Sequence, residues 1–341
     1  MTTFFPSEWT MQSGVMITWP HEDTDWAYML DEAVACFVEI AREISKRERL
    51  LIVCRNEQSV RKDLGEVMNP NIRFRELPTN DTWARDHGPI TVFVDGSPYL
   101  YDFQFNGWGL KFPANYDNQI TKSLYLSRTL SPKVGYMSLL YYVLEGGSIE
   151  SDGAGTLMTT SQCLLSPNRN EHLTQPQVEE FLKSSFGVER VLWINHGYLA
   201  GDDTDSHVDT LARFCDVDTI AYVQCDDKTD EHYASLKLME RELKSFRTLE
   251  GNPYRLIPLP MADARYEGEQ RLPATYANFL IVNGAVLVPT YRSPKDEQAL
   301  SALREAFPDR EVVGVDCSAL IHQHGSLHCV TMQLPYYVLE D

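Results

Sequence analysis

The thiol of greatest chemical interest is Cys329, which follows the glycine-containing loop Gly325-Ser326-Leu327-His328 and stands where an expected strand, Val330 to Leu334, begins. A cysteine at a strand entrance is open to reaction partners, and a neighbouring cation lowers its pKa toward the nucleophilic thiolate. Most cysteines are small buried hydrophobes instead. Cys36 falls near the apolar stripe of an expected helix and Cys54 ends the run Leu51-Ile52-Val53, so both read as structural. Cys163, Cys215, Cys225 and Cys317 adjoin expected strands without a comparable polar loop. His207 and Asp209 form a His-x-Asp pair; on a strand, residues two apart share a face, which points imidazole and carboxylate into one cleft. The stretch Asp81 to Pro89 packs Trp83, Arg85, Asp86 and His87 ahead of a Gly-Pro stop, and Glu145 precedes Gly146-Gly147. Paired glycines let a backbone approach a ligand closely or permit a tight strand entrance. Phe105-Asn106-Gly107-Trp108-Gly109 reads as an aromatic loop that lines a pocket or covers its mouth, and Asp202, Asp203 and Asp205 crowd the approach to His207.

Carboxylates beside a tryptophan suit a planar cation, because two oxygens accept parallel N–H bonds while the ring face meets the charge. The expected ligand is a guanidinium. Its carbon is a poor electrophile, since resonance spreads the charge, so hydrolysis needs a strong nucleophile and an acid to expel ammonia. A thiolate with a histidine supplies both. Two other readings compete. His207 and Asp209 with His87, His324 or His328 offer metal-ligand chemistry, although there is no HExxH helix and no compact second histidine pair. The aspartates at 202, 203 and 205 suit calcium, although the twelve-residue loop with its closing glutamate is missing. Arg85 pairing with its own aspartates, with Trp83 filling a gap, is the structural reading of the Asp81 stretch.

These residues need elements to hold them. Amphipathic helices are expected at Tyr28 to Arg47, Gln175 to Phe186, His232 to Phe246 and Lys295 to Phe307. Between them recur strand pairs joined by short turns: His87 to Val94 with Pro98 to Tyr101, Ser148 to Glu150 with Thr156 to Thr160, His207 to Phe214 with Thr219 to Val223, and Tyr276 to Val282 with Ala285 to Pro289. Gly14 to Pro20 pairs with Cys329 to Gln333 to complete a fifth unit. Repeated units of this kind imply a radial arrangement, with the residues that open each first strand converging at the axis. Those openings hold Asp86, Glu145, His207 with Asp209, and Cys329.

The chain has 341 residues, 43% of them hydrophobic, enough for a large core, and no low-complexity linker interrupts it, so one domain over 1–341 is expected. Its 49 acidic against 30 basic residues give a net charge of -19, which repels nucleic acid and anionic membrane and attracts small cations. No basic-then-apolar leader and no membrane-length apolar run are read. Seven cysteines without a CxxC pair argue against a disulfide framework and for a reducing cytoplasm.

The strings Trp83-Ala84-Arg85-Asp86-His87-Gly88-Pro89, Leu144-Glu145-Gly146-Gly147-Ser148, Asp202-Asp203-Thr204-Asp205-Ser206-His207-Val208-Asp209 and Leu327-His328-Cys329 resemble, in order and spacing, the agmatine deiminase family within the wider peptidylarginine deiminase group. The resemblance runs from about residue 6 to residue 336. It implies an α/β fold, a five-bladed α/β propeller of the pentein type with pseudo-fivefold strand-hairpin-helix units. It also implies Cys329 as nucleophile, His207 as general acid and base, Asp86 and Asp209 as guanidinium clamps and Glu145 as a further active-site carboxylate. Trp83 would stack on the substrate, with Trp108, Asp203 and Asp205 around it and Asp203 receiving the distal amine. The implied reaction converts agmatine to N-carbamoylputrescine and ammonia without metal or cofactor, with peptidylarginine or free arginine as alternative substrates. The partner expected is a small cationic guanidino compound, and a homodimer is compatible with the family. The chain departs from many relatives in having fewer glycines before Cys329 and Glu150 in place of histidine.

Overall fold

The computed structural model describes residues 2–340, and its helices follow the apolar periodicity closely. Helix Leu30–Ser45 buries Ala33, Phe37, Ile40, Ala41 and Ile44 along one stripe, with Asp31 and Glu32 at its positive end and Arg42 in its last turn. Helix Gln175–Phe186 starts at a capping box made by Thr174 and Gln177 and stops at Gly187, whose φ of 68° an L side chain would resist. Tyr233–Ser245 and Asp296–Ala306 are the other two expected helices, each one residue shorter at both ends. Among the described residues no helix is long and apolar enough to cross a membrane.

Five of the six sheets share one construction. An antiparallel hairpin is followed by a crossover that returns the chain to a third strand, parallel to the second. This describes Ile90–Val94, Ser97–Gln104 and Gly135–Val143; Ile149–Ser151, Thr156–Thr160 and Arg190–Ile194; Ala212–Asp216, Thr219–Gln224 and Arg255–Pro260; and Leu280–Val282, Ala285–Thr290 and Glu311–Asp316. In the remaining sheet the two ends of the chain make the hairpin. Thr331–Pro335 lies antiparallel to Gln12–Thr18, with Thr331 opposite Ile17, and Arg49–Cys54 and Ile72–Glu76 follow in parallel. The sequence suggested a hairpin plus a helix per unit. The third strand is the addition, and it is what the helix is needed for, since parallel neighbours require a long crossover.

The strand entrances also differ from expectation. His87, Ser148 and His207 with Asp209 are not on strands; one-turn helices Ala84–His87, Gly146–Ser148 and Val208–Thr210 occupy these places. The backbone there closes its own hydrogen bonds: Gly88 N donates to Ala84 O at 2.9 Å, Ser148 N to Glu145 O at 3.1 Å and Leu211 N to Val208 O at 3.0 Å. Pro89 has no N–H for a ladder. Strand alternation therefore does not align His207 and Asp209; they share one turn, and the packing of that turn against the others brings both to Asp86 and Gly147.

Candidate active site

The entrance turns converge on Gly147. A Cβ at that position would lie 2.7 Å from His207 Nδ1, 2.8 Å from Asp86 Oδ1 and 3.0 Å from Asp209 Oδ2, so only glycine allows the three groups to meet. The Gly147 amide donates to Asp86 Oδ1 at 3.0 Å, and the Trp108 indole N–H donates to Asp86 Oδ2 at 2.9 Å. Cys329 completes the group, its sulfur 4.0 Å from Asp209 Oδ2 and 3.3 Å from Asn278 Oδ1. Each of the five sheets thus sends one entrance turn to the same place.

A cleft of about 440 Å³ opens onto Cys329 and Asp86. Its other carboxylates are Asp25, Asp81 and Asp203, its rings Trp83, Trp108, Phe112 and the His324 imidazole, and among the described residues no arginine or lysine side chain lines it. Trp83 is braced by Trp26, 5.8 Å away, and meets Trp108 edge-on at 6.4 Å. His207 and Asp209 stand behind this lining, His207 1% and Asp209 0% exposed. Two of their atoms, His207 Nε2 and Asp209 Oδ1, are buried without a hydrogen-bond partner.

Charge in the cleft is held out of balance. Burial, with Asp209 and Glu145 adding to it, raises the Asp86 carboxyl to about 6 against the pull of His207 and the Trp108 indole. Burial and Asp202 raise Asp203 to about 6, and burial and Asp25 raise Asp81 to about 7. Burial pushes the His207 imidazole down, but Asp86, Cys163 and Glu145 together carry it well above its ordinary value. The Cys329 thiol is also pushed well up, by burial and then by Asp209 and Asp86. This reverses the expected lowering by a neighbouring cation, because the groups beside the sulfur are carboxylates.

Several predicted residues take other positions. Glu145, fully buried, does not line the cleft; both its oxygens accept from Arg169 Nε at 3.0 Å. Asp205, expected to contact substrate, is instead paired with Lys111 at 2.8 Å and Arg169 at 2.6 Å, and these partners hold its carboxyl down against the effect of burial. Asp202 accepts from the backbone amides of Thr204 and Ser206. Of the three rim aspartates only Asp203 lines the cleft, and the turn hydrogen bonds and Arg169 account for the others without calcium. Arg85 does not pair with its neighbouring aspartates; its guanidinium reaches back to Gln333 and His328 O. Among the described residues two buried clusters have metal-ligand geometry, Glu145 with Cys163 and His207, and Glu8 with Glu150 and His328. In each the carboxylates already face a guanidinium, that of Arg169 or Arg213, which stands where a metal's charge would be required.

Three contributors escaped the sequence reading. Asn278 Oδ1 accepts from the His328 and Cys329 amides at 2.9 and 3.2 Å and so holds the nucleophile's backbone. It opens the unit whose hairpin is Leu280–Val282 with Ala285–Thr290, so the repeat that gathered the other openings was its signal. Arg169 and Cys163, beside Glu145 and His207, lie in the segment after strand Thr156–Thr160, where no spacing marks them.

A model of the Porphyromonas-type peptidyl-arginine deiminase family matches residues 4–335. A Porphyromonas gingivalis structure provisionally described as an arginine deiminase is 54% identical, with a TM-score of 0.95 over 99% of this chain and 100% of the other. A cysteine-to-serine variant of C. jejuni agmatine deiminase, solved with substrate bound, is 36% identical, with a TM-score of 0.93 over 99% and 98% of the two chains. The agmatine deiminase of Pseudomonas aeruginosa is 33% identical over 97% of this chain and 95% of its own length.

Proposed function

Because the chain belongs to the Porphyromonas-type peptidyl-arginine deiminase family, we propose that its cleft hydrolyses the guanidinium of agmatine to N-carbamoylputrescine and ammonia. The observation that carries the choice of substrate is the lining: Asp25, Asp81, Asp86 and Asp203, with no lysine or arginine. The distal amine of agmatine finds carboxylates there. The carboxylate of free arginine would enter an acidic cleft with no arginine or lysine to meet it and only the His324 imidazole, already facing Asp203, so its desolvation finds little return. The agmatine deiminases among the similar proteins support the same reading.

In this mechanism the guanidinium sits between Asp86 and Asp209, whose unpartnered Oδ1 is available to it. The arriving positive charge offsets the two carboxylates that hold the Cys329 thiol up, and the thiol loses its proton on binding. The thiolate forms a bond to the guanidinium carbon. His207, protonated at the outset, gives its proton to the departing nitrogen, and ammonia leaves. The amidino-thioether that remains is still a cation held by the same carboxylates, so the clamp stabilises both halves. Neutral His207 then takes a proton from water, hydroxide adds to the carbon, and collapse expels the thiolate, which regains the hydroxyl proton, and leaves the ureido product. The proton released on binding balances the ammonia as ammonium.

We further read the five units as the blades of one propeller within a single domain over 1–341. The pairing of Thr331–Pro335 with Gln12–Thr18, which joins the ends of the chain in one sheet, supports closure. All seven cysteines are free thiols, in keeping with a reducing cytoplasm.

The test is to incubate purified protein separately with agmatine, arginine and a peptidyl-arginine and to follow ammonia and ureido product. Agmatine should turn over with the highest kcat/KM, and Cys329→Ser should abolish turnover. Ammonia from none of the three would end the deiminase reading, while preferential turnover of arginine would leave the chemistry and remove the substrate.

A further inference from the structure

Behind the clamp lies a row of buried charged groups that the chemistry above does not use. His328 Nδ1 is 2.8 Å from Asp209 Oδ2, while its Nε2 is 3.0 Å from both Glu8 Oε2 and Arg213 Nη2. Arg213 also bonds Glu8 and Glu150 and donates to Phe279 O at 2.6 Å, its guanidinium 4.7 Å above the Phe279 ring. Glu8 is anchored in turn by the Ile281 amide at 3.1 Å. All are at most 8% exposed. Residue 8 and residue 328, from opposite ends of the chain, are thus locked to one another directly under the site.

We propose that His328, fixed from behind by Glu8 and Arg213, is the positioning residue of Asp209 and determines which of its two oxygens faces substrate. Nε2 stands between Arg213 Nη2, which can only donate, and Glu8 Oε2, which can only accept, whereas the Asp209 carboxylate beside Nδ1 can only accept, so the 2.8 Å contact between them requires a proton on Nδ1. That proton points at Asp209 Oδ2. The other oxygen, Oδ1, is then the one buried without a partner, and a guanidinium N–H is its natural complement. Glu8 offsets the Arg213 charge, which lets an arginine and a histidine share this space. Burial, Arg213 and Arg85 favour neutral His328, consistent with that tautomer. The groups that bear on Asp209 are His328, His207 from its own turn, Arg213 from the following strand, Cys329, Asp86 across Gly147, and the buried Arg85 and Glu150. Against burial, which pushes the Asp209 carboxyl up, the His328 bond is the first of the influences that hold it down.

The inference rests on the deiminase reading, and the comparison is designed to separate the two. His328→Leu removes the Nδ1 donor, whereas His328→Asn places an amide N–H near it. Wild type, His328→Leu and His328→Asn are assayed for agmatine turnover from pH 5 to pH 9, with folding checked by circular dichroism. His328→Leu should raise KM about tenfold or more, since a buried carboxylate loses a charge-assisted bond. The acid limb of kcat/KM should move to higher pH, because Asp209 then holds its proton more firmly. His328→Asn should recover most of both. Should His328→Leu not fold, His328→Met, which also lacks a donor, carries the same comparison. An inactive wild type would mean that the deiminase reading has failed. An active wild type with a folded His328→Leu or His328→Met unchanged in KM and acid limb, or with His328→Asn no better than the donor-less variant, would overturn the positioning role.

Discussion

Asp203 differs from the two aspartates beside it in what remains free. Asp202 is spent on its own turn and Asp205 on Lys111 and Arg169, while Asp203 lines the cleft with its carboxyl raised to about 6. Asp203→Asn should therefore raise KM for agmatine by about tenfold, the usual effect of losing one charge-assisted bond. KM for n-butylguanidine, which has no distal amine, should stay within about twofold on the same principle. Equal losses on both substrates would place Asp203 elsewhere in the reaction. Because Asp86 and Asp203 are raised to about 6 and Asp81 to about 7, a cation that binds their ionised forms releases protons near neutrality. Titration calorimetry in two buffers of different ionisation enthalpy should show that release, and KM should climb as pH falls below about 6. The types and order of these residues were legible in the sequence. Which of three adjacent aspartates is free depends on Arg169 and Lys111, and no spacing announces those partners.

The turns before the strands are the elements on which the site depends. Glu145-Gly146-Gly147 allowed two readings in the sequence, a close approach to ligand or a tight entrance. The structure shows a third situation, in which Gly147 makes room for neighbouring catalytic candidates. Gly147→Ala would put a methyl within 3.0 Å of His207, Asp86 and Asp209, so kcat for agmatine should fall by about a hundredfold or more while the circular dichroism spectrum stays folded. Normal turnover in that variant would mean that the three groups are not required in this arrangement. Thr174→Ala is the opposite case. It removes one side of a capping box on an outer helix and should lower unfolding free energy by about 1 kcal/mol in urea titration, with kcat unchanged.

For the molecule as a whole, a net charge of -19 and a cleft of raised carboxylates make folding stability and ligand binding one problem. Asp81, Asp86 and Asp203 bind a proton more firmly folded than unfolded, so their ionisation opposes folding. That penalty is absent below the ordinary carboxylate range near ~4 and fully present above about 7. A bound dication relieves it, so the rise in Tm produced by saturating agmatine should be larger at pH 8 than at pH 5; an equal rise would mean that these carboxylates do not meet the ligand. The sequence by itself determined the helices, the hairpins and their recurrence, because apolar periodicity and turn residues are local. It also offered the candidates for the reacting groups, Cys329, His207, Asp86 and Asp209, through motifs whose residues are contiguous. Only the tertiary structure decided that the entrances are turns and not strands, that burial and then Asp209 and Asp86 push the Cys329 thiol up, and that Glu8, Arg213 and His328 share one buried cluster. Each of those depends on groups up to 320 residues apart, such as Glu8 and His328, whose electrostatic influence exists only once the chain has brought them out of water together.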